Sequence, residues 1–156
     1  MSKGKREATA DWLMVIGAPI LFASLFLTWS HQFSPAFLAQ YGHSPAIQEI
    51  ARNPTAWQVY SVVDLLLALL AGGLLTVALR GSRAGRAAVL LGLAVALAFT
   101  VHALATPPTH GVDLFNPGLT PPAYSADHPT SGAGEIVALV GAGLGIGGVL
   151  LSFTVG

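Results

Sequence analysis

The chain has 156 residues, room for one domain of ordinary size. It is 53% hydrophobic and only 9% charged, against about 25% in soluble domains, so there are too few charges to cover a water-facing surface. A net charge of zero gives no basis for a nucleic-acid partner, and the absence of cysteine excludes disulfides, thiolate metal sites and a Cys nucleophile.

The mean hydropathy of +0.67 points to an integral membrane protein. Four stretches approach or exceed the roughly 18–20 apolar residues that a spanning helix needs, at about 12–30, 56–79, 86–105 and 135–155. The first follows the basic "KGKRE", which is also how a signal peptide begins. Its apolar run exceeds the usual 7–15 residues and no small-x-small cleavage site follows, so a retained helix is expected. The outer segment 31–55 comes next. Within it "PAIQEIARN" reads as a short interfacial helix, with Arg52 available to Glu49.

Helix two opens "AWQVYSVVDLLLALLAGG" and places Asp64 inside an apolar run. A charge at the bilayer centre costs about 2.5–3.5 kcal/mol on insertion scales, so Asp64 must face protein or water. At 100° per residue Trp57, Ser61, Asp64, Ala68, Ala71, Gly72 and Leu75 share one face, expected inside. Val59, Val62, Leu66, Leu70 and Leu74 lie opposite, expected against lipid.

A tight "RGSRAGR" hinge makes helices two and three antiparallel neighbours. Asp64 lies 16 residues before Arg80 and His102 lies 16 after Arg86, so both sit roughly 24 Å from that hinge. The expectation is an intramembrane Asp64–His102 pair, with Ala88, Leu91, Val95 and Ala98 on the His102 face and Thr28, Trp29, Trp57, Tyr60 and Ser61 in support. Such a pair is either a packing lock, in which Asp64 accepts hydrogen bonds from His102, Tyr60 or Trp29, or a proton relay.

Segment 106–134 holds much of the proline; nine of the ten prolines fall in it or in 31–55, which predicts extended, irregular outer loops. His110, Asp113, Asp127 and His128 are ligand types suited to a divalent metal, although their spacing matches no compact metal motif. Helix four carries "GAGLGIGG". Gly141 with Gly145, and Gly143 with Gly147, form two GxxxG spacings on different faces, one expected to pack within the chain and the other to meet a second copy or a partner membrane protein. Glu135 opens this helix, where a carboxylate complements the N-terminal dipole.

Orientation follows from the basic residues. Lys3, Lys5, Arg6, Arg80, Arg83 and Arg86 fall on one side and only Arg52 on the other, so both termini are expected in the cytoplasm of a plasma-membrane protein. The "LFLTWS" that ends helix one, followed by the opening of helix two, resembles small four-span membrane proteins of actinomycete type. The likeness rests on Trp29, Trp57, Gln58, Ser61 and Asp64. It implies a four-span layout and no particular activity, cofactor or site.

These readings converge on an all-α membrane protein, a single domain forming a four-helix transmembrane bundle with proline-rich outer loops in a lipid bilayer. Three functions follow from them. The first is a non-enzymatic accessory or scaffolding subunit assembling through its glycine faces and outer loops. The second is an oligomeric proton or ion conductor using Asp64 and His102. The third is an outer-face metal-binding or enzymatic site. No cofactor is singled out.

Overall fold

A computed structural model describes residues 3–48, 51–107 and 129–154, less the side chains of 46, 47 and 61. The chain is mostly helical. Its elements run α1 (Lys3–Ser24), β1 (Ser30–His31), α2 (Pro35–Tyr41), α3 (Pro45–Gln48), α4 (Ala56–Val59), α5 (Ser61–Arg80), α6 (Arg83–Ala105), β2 (Thr130–Ser131) and α7 (Ala133–Phe153).

Three stretches are long and apolar enough to cross a membrane, Val62–Arg80, Arg83–Ala105 and Ala133–Phe153. At about 1.5 Å per residue each approaches or exceeds the roughly 30 Å of a hydrocarbon core. Much of their apolar surface stays outward, as at Val62, Leu69, Leu79 and Leu91, which is a surface suited to acyl chains.

Helix α1 differs from its expected span. It begins at Lys3 and ends at Ser24, not near residue 30, because the chain turns through Leu25–Leu27 and then becomes extended. The turn is stitched by amides reaching back three residues, and the Trp29 indole N–H donates to the Ser24 carbonyl at 2.8 Å. The second predicted helix is divided at Tyr60, whose φ of −130° and ψ of 74° separate α4 from α5. Ser82 caps α6 by accepting from the Gly85 amide at 3.1 Å, which closes the tight turn from α5. In segment 31–55, Ser34 caps α2, and only Pro45–Gln48 of the expected interfacial helix is helical among the described residues. Glu49 and most of the 106–134 segment lie outside the described residues.

The long helices lie side by side. Helix α1 packs against α7 and α5, and α6 packs against the other sides of α7 and α5. The α1–α7 contact is the most extensive, and glycine makes it possible. A Cβ on Gly141 would stand 2.5 Å from the Leu21 amide nitrogen, and one on Gly17 would stand 2.9 Å from the Gly141 carbonyl. Backbones this close gain dispersion contact over their whole length, the main attraction available between helices in lipid. Gly148 lies against Met14 and Ala10, so α7 runs antiparallel to α1.

At the other end of the bundle the extended chain 28–32 is knitted on both sides. The Trp29 amide donates to Pro54 O at 3.0 Å and the Gln32 amide to Arg52 O at 3.0 Å. On the opposite side β1 pairs antiparallel with β2, Ser30 with Ser131 and His31 with Thr130. The amides of Gly132 and Gly134 donate to Trp29 O and Thr28 O, at 2.9 and 2.7 Å. This strap brings Trp29, which is fully buried, into ring contact with Tyr60 and Phe99.

Candidate functional site: two carboxylates beneath the strap

Asp64 and Glu135 are both fully buried, and none of their four carboxylate oxygens has a hydrogen-bond partner among the described residues. Packing brings them to a similar height in the bundle. Helices α5 and α7 both run antiparallel to α1, and they meet across the bundle where Leu74 Cδ2 lies 2.7 Å from the position a Cβ on Gly145 would take. Asp64 stands ten residues before Leu74, and Glu135 ten residues before Gly145. Equal rise sets both about 15 Å above that contact, at one level.

Each carboxylate has a local reason for its place. Asp64 sits in the first turn of α5, its amide donating to Tyr60 O at 3.0 Å, so the break at Tyr60 sets its azimuth. Glu135 sits in the first turn of α7 beside Gly134, where a Cβ would collide with the Trp29 ring. The glycine lets Trp29 close over the end of the helix. The nearby Gly132 amide donates to Trp29 O and also faces the Glu135 carboxylate.

Tyr60 lies within electrostatic reach of both. Its ring makes edge contacts with Trp29 and Phe99 at centroid distances of 5.8 and 5.0 Å. It lies just before the spanning helix, and burial pushes its phenol up to about 12, the negative charges of Glu135 and then Asp64 adding to the rise. Below this level Leu21, Leu25, Leu74 and Leu93 close the interior with apolar side chains.

The structure does not bring His102 to Asp64. The neighbouring contacts Leu70 with Gly92 and Val89 with Gly73 make Asp64 level with Ala98, so His102 stands about one turn, roughly 6 Å, farther from the hinge than the spacing predicts. The azimuth differs. Ala88, Leu91, Val95, Ala98 and His102 are all exposed, whereas Leu93, Ala96, Thr100 and Ala103 form the buried face of α6. His102 Nε2 lies 3.4 Å from Thr106 Oγ1 on its own helix. The expected inner face of α5 is rotated as well: Leu74 is fully buried, while Trp57, Gly72 and Leu75 are exposed.

Of the other expected residues, Trp29 and Tyr60 stand at the site, and Thr28 is held in the strap by its bridge to Thr55. Trp57 packs on Phe26 away from it, with centroids 6.1 Å apart. The Ser61 side chain, His110, Asp113, Asp127 and His128 lie outside the described residues. Among the described residues no group of three His, Asp or Glu side chains is gathered for a metal ion. Glu135 is the residue that sequence reasoning assigned to the helix dipole. Its distance of ten residues from Gly145, matching that of Asp64 from Leu74, becomes informative only once that contact is known.

The two glycine faces of α7 behave differently. Gly141 and Gly145 are filled from within the chain, by Leu21 and by Leu74 and Leu93, whereas Cβ atoms on Gly143 and Gly147 would meet nothing within 4 Å. Comparison with protein-family models, with curated proteins and with solved structures finds no match for this chain.

Proposed function

We propose that this chain is a small non-enzymatic membrane protein, an accessory subunit, that takes up one small positive charge, a proton or an inorganic cation, at Asp64 and Glu135. The observation that carries the reading is the two sealed carboxylates themselves, at a similar height and with no side-chain donor or counter-ion among the described residues. Burying an uncompensated carboxylate costs several kcal/mol in real proteins. A proton or cation removes that cost, and apolar residues at these positions would avoid it altogether.

The apolar layer of Leu21, Leu25, Leu74 and Leu93 beneath the pair favours binding from the strap side over conduction through a single chain. The clustering of Lys3, Lys5, Arg6, Arg80, Arg83 and Arg86 supports a basic end in the cytoplasm, with α1 as a fourth span and the strap outside. The open Gly143–Gly147 face favours assembly with a second copy or a partner membrane protein.

Reconstitution tests this directly. In liposomes the protein alone is expected to leave proton and cation flux at background. In micelles a pH jump or cation titration should show uptake that is lost in both Asp64→Asn and Glu135→Gln and kept in His102→Ala. Flux through the wild type that disappears in Asp64→Asn would replace binding with conduction. Uptake unchanged in both carboxylate variants would remove the site from the account.

A further inference from the structure

At the basic end, independently of the carboxylate pair, a cavity of about 140 Å3 is lined by Arg83, Arg86, Ser152 and Phe153. Arg83 and Arg86 stand three residues apart in the first turn of α6 and therefore on one face. They meet the last turn of α7, which supplies Ser152 and Phe153. We infer that this cavity binds a phosphate group, carried on a lipid headgroup or free in solution.

Three observations support an anion here. The first is the unmet donor: Arg86 Nε is enclosed and has no hydrogen-bond partner among the described residues. A guanidinium presents its donors in a planar fork that matches two oxygens of a phosphate, and such charge-assisted bonds are about twice as strong as neutral ones.

The second is that two carbonyls near the end of α7, those of Val149 and Leu151, already take donors other than these arginines. Ser152 Oγ donates to Val149 O at 2.6 Å, and the Thr154 amide and hydroxyl both donate to Leu151 O, at 3.1 and 2.8 Å. Ser152 is nonetheless buried at the cavity wall, with its oxygen lone pairs able to accept a hydrogen bond from a hydroxyl of hydrogen phosphate or of a headgroup glycerol.

The third is fit. The volume is well below the roughly 300–1,000 Å3 of pockets that enclose drug-sized ligands, so a compact group enters and a large one does not. Ser82 already caps the Gly85 amide, and the positive end of the α6 dipole points toward this level. Phe153 gives the cavity an apolar edge, and the exposed Leu79 shows that the acyl-facing surface of α5 reaches close to the same end. A headgroup phosphate in the cavity would leave its chains free to run down that surface.

The test uses the full-length protein purified in neutral detergent. Bound lipid is counted by intact-complex mass spectrometry, and thermal midpoints are followed by circular dichroism. The probes are phosphatidylglycerol and inorganic phosphate, applied separately. Phosphatidylglycerol is expected to remain as one adduct per chain and to raise the midpoint. Arg83→Gln and Arg86→Gln should each weaken this about tenfold or more, the loss of one charge-assisted bond, while Arg80→Gln, one residue type outside the cavity, leaves it unchanged. A midpoint raised equally by inorganic phosphate and lost in the same variants assigns the free anion; a rise with the lipid alone assigns the headgroup. Binding that survives in both cavity variants, or that falls equally in Arg80→Gln, overturns the inference. If Arg86→Gln does not fold, Arg83→Gln and Arg86→Lys decide, the lysine keeping the charge and losing the fork.

Discussion

Glu135→Met gives the two available accounts of this residue opposite signs. If Glu135 is present to complement the dipole of α7, removing it costs about 0.3–1 kcal/mol. The structure gives the other sign. Both oxygens are sealed and without a hydrogen-bond partner among the described residues, and an unpartnered buried polar group is worth about 1–3 kcal/mol of destabilisation in mutational measurements. Methionine has nearly the same length and volume, so little is lost to a cavity or to overpacking. The expected outcome is a gain of about 1–3 kcal/mol, with Glu135→Gln nearer to neutral because the amide keeps an unmet polar group. The assay is equilibrium unfolding in mixed micelles with rising denaturing detergent, followed by far-ultraviolet circular dichroism. A loss of 1 kcal/mol or more in Glu135→Met would show that the carboxylate holds the fold together, and the pair would cease to be a site kept at the expense of stability.

Other outcomes follow from the same coordinates. Gly141→Ala should cost about 1–3 kcal/mol, because its Cβ meets the Leu21 backbone; Gly143→Ala, facing open space, should stay within about 0.5 kcal/mol, and equal effects in the same unfolding assay would refute the assigned faces. Tyr60 has a folded pKa raised to about 12 from 10.0, so the stability it contributes is fully present below pH 10 and is lost as pH rises through 12. Tyr60→Phe should remove that alkaline loss, and an ultraviolet titration should show the tyrosine moving back toward 10.0 in Asp64→Asn or Glu135→Gln. Gly134→Ala should displace Trp29 and shift its emission to the red in a chain whose other tryptophans are replaced. His102→Ala, on an exposed face, should change stability by less than about 0.5 kcal/mol.

The sequence by itself determined the apolar stretches of α5, α6 and α7, within a few residues of their ends, because run length and the scarcity of charge are local properties. It also separated the two glycine spacings of α7 onto different faces, since the helical period fixes that. For α5 it told the inner side in part, since Asp64 and Ala71 are buried and Val62 and Leu66 exposed as expected while Leu74 and Leu75 exchange, and for α6 it chose the wrong side. In lipid an apolar residue is equally at home on either side, so Leu74 and Leu75 differ only by what the neighbouring helix offers: Leu74 meets Gly145, and Leu75 meets nothing of the kind. The same limit misdirected His102. Its height missed by about one turn, because the offset between α5 and α6 is set by their packing, and its azimuth depended on which face of α6 packs. Tertiary structure alone decided that α5 meets α7 at Leu74 and Gly145, that the strap through Trp29 closes the end, and that Asp64 and Glu135 are both buried beneath it. A carboxylate's partner is set by contacts between helices far apart in sequence, and the chain writes those contacts into no single segment.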